Sequence, residues 1–262
     1  MITNLMADSR KIIFKFGSNT LAGNDGKINS ALLFEFADQV SALMKSGKQI
    51  VIVSSGAQVA GLSTMDKWAR KKDIHYRQAL CAVGQVELMD AWRRVFEKHN
   101  LHIGQILLTR EDFNDTNRTL NMRNTLFTLV DEGIIPIINE NDTISVEEIK
   151  IGDNDTLAAR SAILWSADLL ILFSDIDGLY DSNPKENPNA ALVNVVRDIK
   201  EIRKSITIGA TNDFGTGGIS TKLDAAEMAL SYGISTILTD GGKPRCLESL
   251  LAGTQKGTVF AA

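Results

Sequence analysis

The sequence predicts an α/β fold, in which an open, doubly wound, mainly parallel sheet is packed between helices. Short apolar segments alternate along the chain with longer segments whose apolar residues recur at helical spacing. Residues 169–173 are apolar throughout, which is typical of a strand that is covered on both faces. Several predicted strands run directly into turns of Gly, Ser, Asn and Asp. These patterns leave the order of the strands open.

The predicted elements follow one another from the N-terminus. The first strand covers 11–17, and the helix after it covers about 29–46 and stops at Gly47. The alternation then repeats with an apolar strand at 49–53, the turn 54–57 and a helical stretch. We predict the later strands at about 103–108, 134–139, 168–173 and 234–238. We predict the later helices at roughly 74–99, with a break near Gly84, and at 117–132, 154–166 and 219–232.

The composition is that of an ordinary globular protein and disfavours several functional classes. The 262 residues include 28 Lys and Arg against 32 Asp and Glu, a net charge of −4. Phosphate contacts dominate nucleic-acid binding and need basic side chains, so the acidic net charge leads us to expect no nucleic-acid partner. No apolar window approaches about 18 residues and no secretory signal is visible, so we expect no membrane association and a cytoplasmic location. Cys81 and Cys246 lie far apart and are predicted to be reduced structural residues.

The turns that follow the strands are the expected place for chemistry. In open α/β sheets, ligands bind beyond the carboxyl ends of the strands. Small, polar turns that contain glycine let backbone N–H groups close on an anion. One such turn is weak evidence, but several along one edge are less readily explained as ordinary turns. The candidate turns are 17–19, 54–57, 139–142, 174–178 and 240–242.

Two lysines are candidates for contacts with phosphate. Lys15 lies one residue before the end of an otherwise apolar strand, where it could also bury its stem and extend its amine to solvent. The Gly-rich segment 215–222 ends in Lys222 and precedes an Ala-rich helix. Such a turn can hold phosphate, although it could be a simple helix entry, and it does not match the Walker pattern. We therefore predict a nucleotide site of a different design.

Two acid and amide clusters lie between these lysines. The sequence Asn-Glu-Asn-Asp occupies 139–142, and Gly-Asp-Asn-Asp occupies 152–155, just before a predicted helix. Asp153 or Asn154 could be a helix cap. Capping explains two dense clusters less well, and they would suit an ammonium group, a metal ion or the positioning of catalytic lysines.

Taken in order, these motifs resemble the amino acid kinase family. Within it, they resemble the members that phosphorylate the γ-carboxylate of free glutamate in proline synthesis. The two acid and amide clusters are the motifs most specific to that branch. The matching segments cover almost the whole chain: 15–18, 52–57, 82–85, 107–110, 138–142, 150–155, 175–180 and 215–222.

The resemblance implies roles for individual residues. Lys15 and Lys222 would neutralise the transferring phosphoryl group, and Asp155 would orient them. The expected substrate-binding residues are Ser55, Asn139, Asp142, Asp153, Asn154 and Arg123. The expected nucleotide-binding residues are Lys15, Gly17, Ser18, Ser174, Asp175, Thr216, Gly217, Gly218, Ile219, Ser220, Thr221 and Lys222.

The resemblance also implies an organisation of the chain. Residues 1–262 would form one kinase domain, with an amino-acid-binding lobe over about 1–172 and a nucleotide-binding lobe over about 173–262. The appended PUA domain of many relatives is not expected. Three positions depart from the family pattern: Asn19 replaces a small hydroxyl residue, Gln58 an apolar residue and Ser174 a Thr.

The expected reaction uses ATP with Mg²⁺, which ATP carries, so no metal ligands are predicted in the protein. Feedback inhibition by proline, a reductase that consumes the labile glutamyl phosphate, and a homodimer or homotetramer are what the resemblance implies. The acidic clusters favour free glutamate, because its ammonium group could pair with Asp142 or Asp153. The alternatives are a kinase for N-acetylglutamate or aspartate, and a non-catalytic nucleotide or amino-acid sensor.

Overall fold

The computed structural model describes residues 1–23, 25–65, 73–145, 154–184, 187–206 and 218–261. Strands in these residues form a single sheet. They are β1 (Lys11–Phe16), β2 (Gln49–Ser54), β3 (Ile103–Leu108), β4 (Ile135–Glu140), β5 (Leu169–Ser174), β6 (Val195–Val196), β7 (Ser235–Asp240) and β8 (Thr258–Phe260).

The strands lie in the order β3-β4-β2-β1-β5-β7-β8-β6. All neighbouring pairs from β3 to β7 are parallel. The pairing of β7 with β8 is antiparallel, and that of β8 with β6 is parallel. The predicted mainly parallel sheet is therefore confirmed, and β1 lies near its centre between β2 and β5.

Helices cover both faces of the sheet. They are α1 (Ile2–Asp8), α2 (Ser18–Leu21), α3 (Ser30–Lys45), α4 (Ala57–Met65), α5 (Ile74–Glu97), α6 (Thr116–Asp131), α7 (Asn154–Trp165), α8 (Ile199–Ser205), α9 (Ile219–Leu230) and α10 (Cys246–Ala252), with a 3₁₀ helix at Arg110–Asn114. Of the helices that the structure describes, none has the length and apolar character needed to cross a bilayer.

The predicted break of the long helix near Gly84 is wrong. Helix α5 runs without interruption from Ile74 to Glu97. Gly84 is instead a point of close packing, because a Cβ there would lie 1.7 Å from the carbonyl oxygen of Ala57 and 2.3 Å from the nitrogen of Gly61. A Cβ at Gly61 would likewise lie 2.0 Å from the carbonyl oxygen of Leu80. The two glycines thus allow the backbones of α4 and α5 to touch.

Two apolar layers enclose the sheet. On one face, Phe14, Phe16, Phe36, Trp92 and Phe173 form a buried aromatic cluster with ring centroids 4.6–6.1 Å apart. Burying such rings is a main source of stabilisation in a core.

The other face packs against α7 and α9. Ile13 of β1 belongs to this second layer with Trp165 and Leu223. Side chains alternate along a strand, so Lys15 leaves β1 on the same face as Ile13. The strand therefore directs Lys15 towards the helices that carry Asp155 and Lys222.

Both cysteines are buried and free, as predicted for reduced structural residues. Burial raises the pKa of the Cys246 thiol to about 12, which keeps that thiol protonated at neutral pH.

Candidate active site

The predicted functional turns lie along one edge of the sheet. Strands β4, β2, β1, β5 and β7 are consecutive neighbours and all run in the same direction. The turns that follow them therefore meet at the carboxyl edge, where ligands bind in folds of this class.

Two lysines and one aspartate form a buried ionic cluster at this edge. The ammonium nitrogen of Lys15, from β1, lies 2.5 Å from Oδ1 of Asp155, from the first turn of α7. The ammonium nitrogen of Lys222, from α9, lies 3.2 Å from Oδ2 of the same carboxylate. The hydroxyl of Thr221 donates a 2.8 Å hydrogen bond to that second oxygen. Asp155 is fully buried, and the lysine side chains are 5% and 8% exposed.

The charges in this cluster determine its protonation. Burial alone would raise the pKa of Asp155, but the charges of Lys15 and Lys222, with hydrogen bonds from Lys15 and Thr221, lower it below its ordinary value. Burial lowers the pKa of Lys222, and the charge of Lys15 adds to this effect, while Asp155 opposes it. The carboxylate therefore stays ionised at neutral pH and bridges the two amines.

A cavity of about 200 Å³ opens beside the cluster. Its lining includes Ser55, Asn139, Asp142 and Asn154, so four of the predicted substrate-binding residues lie together. The other lining residues are Ser18, Asn19, Gly56, Ala57, Gln58, Val59, Arg77 and Cys81.

Hydrogen bonds join the polar side chains of the cavity. The amide nitrogen of Asn154 donates to the hydroxyl of Ser55 at 2.7 Å and to the amide oxygen of Asn139 at 3.0 Å. The amide nitrogen of Asn139 donates to the side-chain oxygen of Gln85 at 2.8 Å. The loop after β2, the end of β4 and the start of α7 are thereby held as one surface.

The core supports the loop that carries Ser55. The indole nitrogen of Trp92 donates a 2.9 Å hydrogen bond to the hydroxyl of Ser54, which donates at 3.0 Å to the carbonyl oxygen of Ser55. Gly56 follows with φ of +106°, a value that favours glycine. The serine loop is thus fixed from the aromatic layer beneath it.

Among the residues predicted to bind nucleotide, Ser18 lines the cavity itself, and Lys15 and Lys222 belong to the ionic cluster. Ser174 donates to Oδ1 of Asp175 at 3.1 Å, and Asn19 approaches Oδ2 of Asp175 at 3.4 Å. A Cβ at Gly17 would lie 3.7 Å from the amine of Lys15. Gly218 caps the N-terminus of α9, whose first turn contains Ile219, Ser220 and Thr221, and Ser18 begins α2.

Some predicted site residues are not brought to the cavity or are not described. Arg123 is exposed on α6, with its guanidinium 5.4 Å from the ring centre of Phe127, and does not line the cavity. Asp153, Thr216 and Gly217 lie outside the described residues.

Sequence reasoning missed Arg77, Cys81 and Gln85 as residues of this site. Arg77 and Cys81 line the cavity, and Gln85 bonds Asn139. Gln85 lies in the matched segment 82–85, which was a usable signal. Arg77 is one of 28 basic residues and lies in no motif, so nothing in the sequence distinguished it.

Comparison with known proteins identifies the family of the chain. Residues 10–240 match the pattern of the amino acid kinase family. A protein of Alkaliphilus metalliredigens (strain QYMF) named glutamate 5-kinase is 60% identical over 100% of this chain and 99% of its own length. A glutamate 5-kinase of Alkaliphilus oremlandii (strain OhILAs) is 56% identical over 99% of both chains. The glutamate 5-kinase of Syntrophotalea carbinolica is 43% identical over 99% of this chain and 69% of its own.

Solved structures with the same fold share less sequence. The crystal structure of UMP kinase from Ureaplasma parvum has a TM-score of 0.65 at 15% identity and covers 97% of this chain and 99% of that one. Isopentenyl phosphate kinase has a TM-score of 0.64 at 15% identity and covers 95% and 99%. The chain therefore belongs to the amino acid kinase family, in its glutamate 5-kinase branch.

Proposed function

We propose that this chain transfers the γ-phosphoryl group of ATP to the γ-carboxylate of L-glutamate. The products are ADP and L-glutamyl 5-phosphate, and the reaction is the first step of proline biosynthesis. The observation that carries the proposal is the pair of lysines on one buried aspartate, beside a cavity lined by polar side chains. The relatives named glutamate 5-kinase supply the specific substrate.

The reaction needs electrostatic stabilisation more than proton transfer. A γ-carboxylate has a pKa of about 4.3 and is ionised at pH 7, so it requires no general base. Its oxygen attacks the γ-phosphorus while the bond from phosphorus to the β,γ-bridging oxygen breaks, and ADP leaves with that electron pair. Lys15 and Lys222 reduce the repulsion between the two anions and stabilise charge on the transferring group. Asp155 positions both amines and abstracts no proton.

The cavity is the proposed glutamate site. Asn154 precedes Asp155 in the chain and bonds Ser55 and Asn139, so these three side chains lie beside the ionic cluster. We propose that these three side chains bind the end of glutamate that carries the reacting γ-carboxylate. Asp142, also in the cavity, and Asp153 are the proposed partners of the ammonium group.

The last third of the chain, about 173–262, is the proposed nucleotide lobe. Residues up to about 172 would bind the amino acid, and residues 173–262 would bind ATP. The positions of Ser55 and Asp142 in the first part and of Ser174, Asp175 and Lys222 in the second support this division. For Arg123, whose guanidinium lies over Phe127, no described contact supports a role in substrate binding.

ATP is expected to enter as its Mg²⁺ complex. Protein-bound Mg²⁺ usually keeps several waters and binds one or two carboxylates plus substrate phosphates. Within the described ranges, no group of three or more His, Cys, Asp and Glu side chains is arranged to hold a metal ion. Mg²⁺ carried by ATP would neutralise phosphate charge beside the two lysines.

An assay with three acceptors tests the proposed activity. The purified chain is incubated with Mg²⁺-ATP and L-glutamate, N-acetyl-L-glutamate or L-aspartate, and ADP release is measured together with trapping of the acyl phosphate by hydroxylamine. We expect ADP and hydroxamate with glutamate alone. Turnover only with another acceptor would point to a different amino acid kinase. If none of the three acceptors supports ADP release, the result would favour a sensor. A sensor has little use for Lys15, Lys222 and Asp155 together, so we do not expect this outcome.

The remaining parts of the proposal concern the location, assembly, regulation and metabolic partner of the enzyme. We expect it to work in the cytoplasm as a homodimer or homotetramer, to be inhibited by proline and to supply a glutamyl phosphate reductase with its labile product. Light scattering with and without proline, alongside the assay, tests the oligomer and the inhibition.

A further inference from the structure

Two side chains of opposite charge line the cavity. Among the described residues of its lining, Arg77 and Asp142 are those with a formal charge at neutral pH. Arg77 lies near the start of α5, and Asp142 lies in the turn after β4. The side-chain amide of Gln78 donates to the carbonyl oxygens of Asp142 and Thr143 at 3.1 and 3.4 Å. This contact ties the start of α5 to the turn that carries Asp142.

We propose that Arg77 binds the α-carboxylate of the amino acid substrate. The inference rests on the proposed function and assigns a partner to the one charged group of glutamate that so far lacks one. A free amino acid carries its ammonium and α-carboxylate on the same carbon. A site that recognises both must therefore offer an anion and a cation within one cavity, and Asp142 and Arg77 line the same cavity of about 200 Å³.

Gln58 is the proposed positioning residue for Arg77. The Nε–H of Arg77 donates a 3.0 Å hydrogen bond to the side-chain oxygen of Gln58 on α4. A guanidinium is planar and presents five N–H donors in a fixed fork that matches a carboxylate, so one bond at Nε fixes the plane in which the others lie. Helix α4 directly follows the serine loop, which relates the guanidinium to Ser55. Gln58, a departure from the family pattern, thus acquires a role.

Substrate analogues and two arginine variants test the proposal. Three constants are measured in the wild-type enzyme and in Arg77→Gln: the KM for L-glutamate, the KM for ATP and the inhibition constant of 4-aminobutyrate. The last ligand is glutamate without its α-carboxylate. We expect the KM for glutamate to rise roughly 10- to 100-fold, as for loss of a hydrogen-bonded charge pair. The KM for ATP and the inhibition constant of 4-aminobutyrate should stay within about twofold, since neither ligand engages Arg77. Arg77→Lys keeps the charge and should recover part of the affinity for glutamate.

The control variant is Arg93→Gln, on the same helix. Arg93 is exposed and pairs with Asp90 and Glu97. It should leave all three constants unchanged. Thermal unfolding of each variant shows whether the fold is retained.

Two results would overturn the inference. One is an unchanged KM for glutamate in Arg77→Gln. The other is an equal loss of affinity for glutamate and for 4-aminobutyrate, without recovery in Arg77→Lys. That result would mean that Arg77 only connects α5 to Gln58 of α4, because a purely structural contact would affect both ligands alike. A wild-type enzyme that does not phosphorylate glutamate would instead refute the proposed function.

Discussion

The amide of Asn154 donates a 2.7 Å hydrogen bond to the hydroxyl of Ser55, although the two residues are 99 positions apart in the chain. The bond joins the loop after β2 to the first turn of α7, and the next residue of that turn, Asp155, holds both lysines. The proposed substrate site and the proposed catalytic cluster are therefore adjacent parts of one framework. A change in either is expected to be measurable in the other.

Replacing Asp155 tests the ionic cluster. In Asp155→Asn the two buried lysines lose their shared counter-charge, so we expect kcat to fall by at least about 100-fold. Removing one partner of a buried ion pair should also lower the free energy of unfolding by about 3–5 kcal/mol. Steady-state kinetics and urea unfolding measure the two effects. Asp224→Asn is the matched control, because Asp224 is an exposed residue of α9 that pairs with Arg203. A kcat close to that of the wild type would contradict the assignment of Asp155.

The lowered pKa of Lys222 predicts a pH limit. Burial, with the charge of Lys15, lowers its pKa below the ordinary lysine value of 10.5. The charged amine is the form that stabilises the phosphoryl group, so activity should fall as pH rises through this lowered pKa. We expect the alkaline limb of kcat/KM for ATP, which reports the free enzyme, below pH 10.5. Circular dichroism should show folded protein throughout that range. An alkaline limb at or above the ordinary lysine value would count against this role.

Replacing Asp142 tests the ammonium site. Asp142→Asn keeps the shape of the side chain and removes its charge, so the KM for glutamate should rise by about 10-fold or more. The KM for ATP should change far less, because ATP offers no ammonium group. Initial rates with each substrate varied in turn measure both constants. If the glutamate KM is unchanged, the ammonium group does not bind at Asp142.

Replacing Gly84 tests the close contact between α4 and α5. The methyl group of Gly84→Ala would meet the carbonyl oxygen of Ala57, a backbone atom that cannot move without shifting the cavity wall. We expect a loss of about 3 kcal/mol in unfolding free energy and a higher KM for glutamate. Ala82→Ser, at an exposed position of the same helix, should change neither quantity. Wild-type stability in Gly84→Ala would show that the helices separate at little cost.

Much of the fold could be predicted because its signals are local. The predicted bounds of β1, β2, β3, β4, β5 and β7 and of α3 agree with the structure within one or two residues. Apolar periodicity is a signal that is complete within a short window of sequence. The short elements α1, α2, α8, α10, β6 and β8 and the 3₁₀ helix were not predicted. A periodic pattern needs more residues than these elements contain, and their conformation depends on what they pack against.

The sequence by itself determined the fold class, the small polar turns after the strands and the chemical types of the site, among them Lys15, Asp155 and Lys222. Only the tertiary structure decided which side chains meet. It joined Asn154 to Ser55, brought Arg77 into the cavity, placed Arg123 outside its lining and kept α5 continuous through Gly84. The physical reason is that side-chain direction on a strand or helix follows from local geometry, whereas contact between distant segments depends on how complete layers pack. A lone arginine or glycine carries no record of that packing in its sequence neighbours.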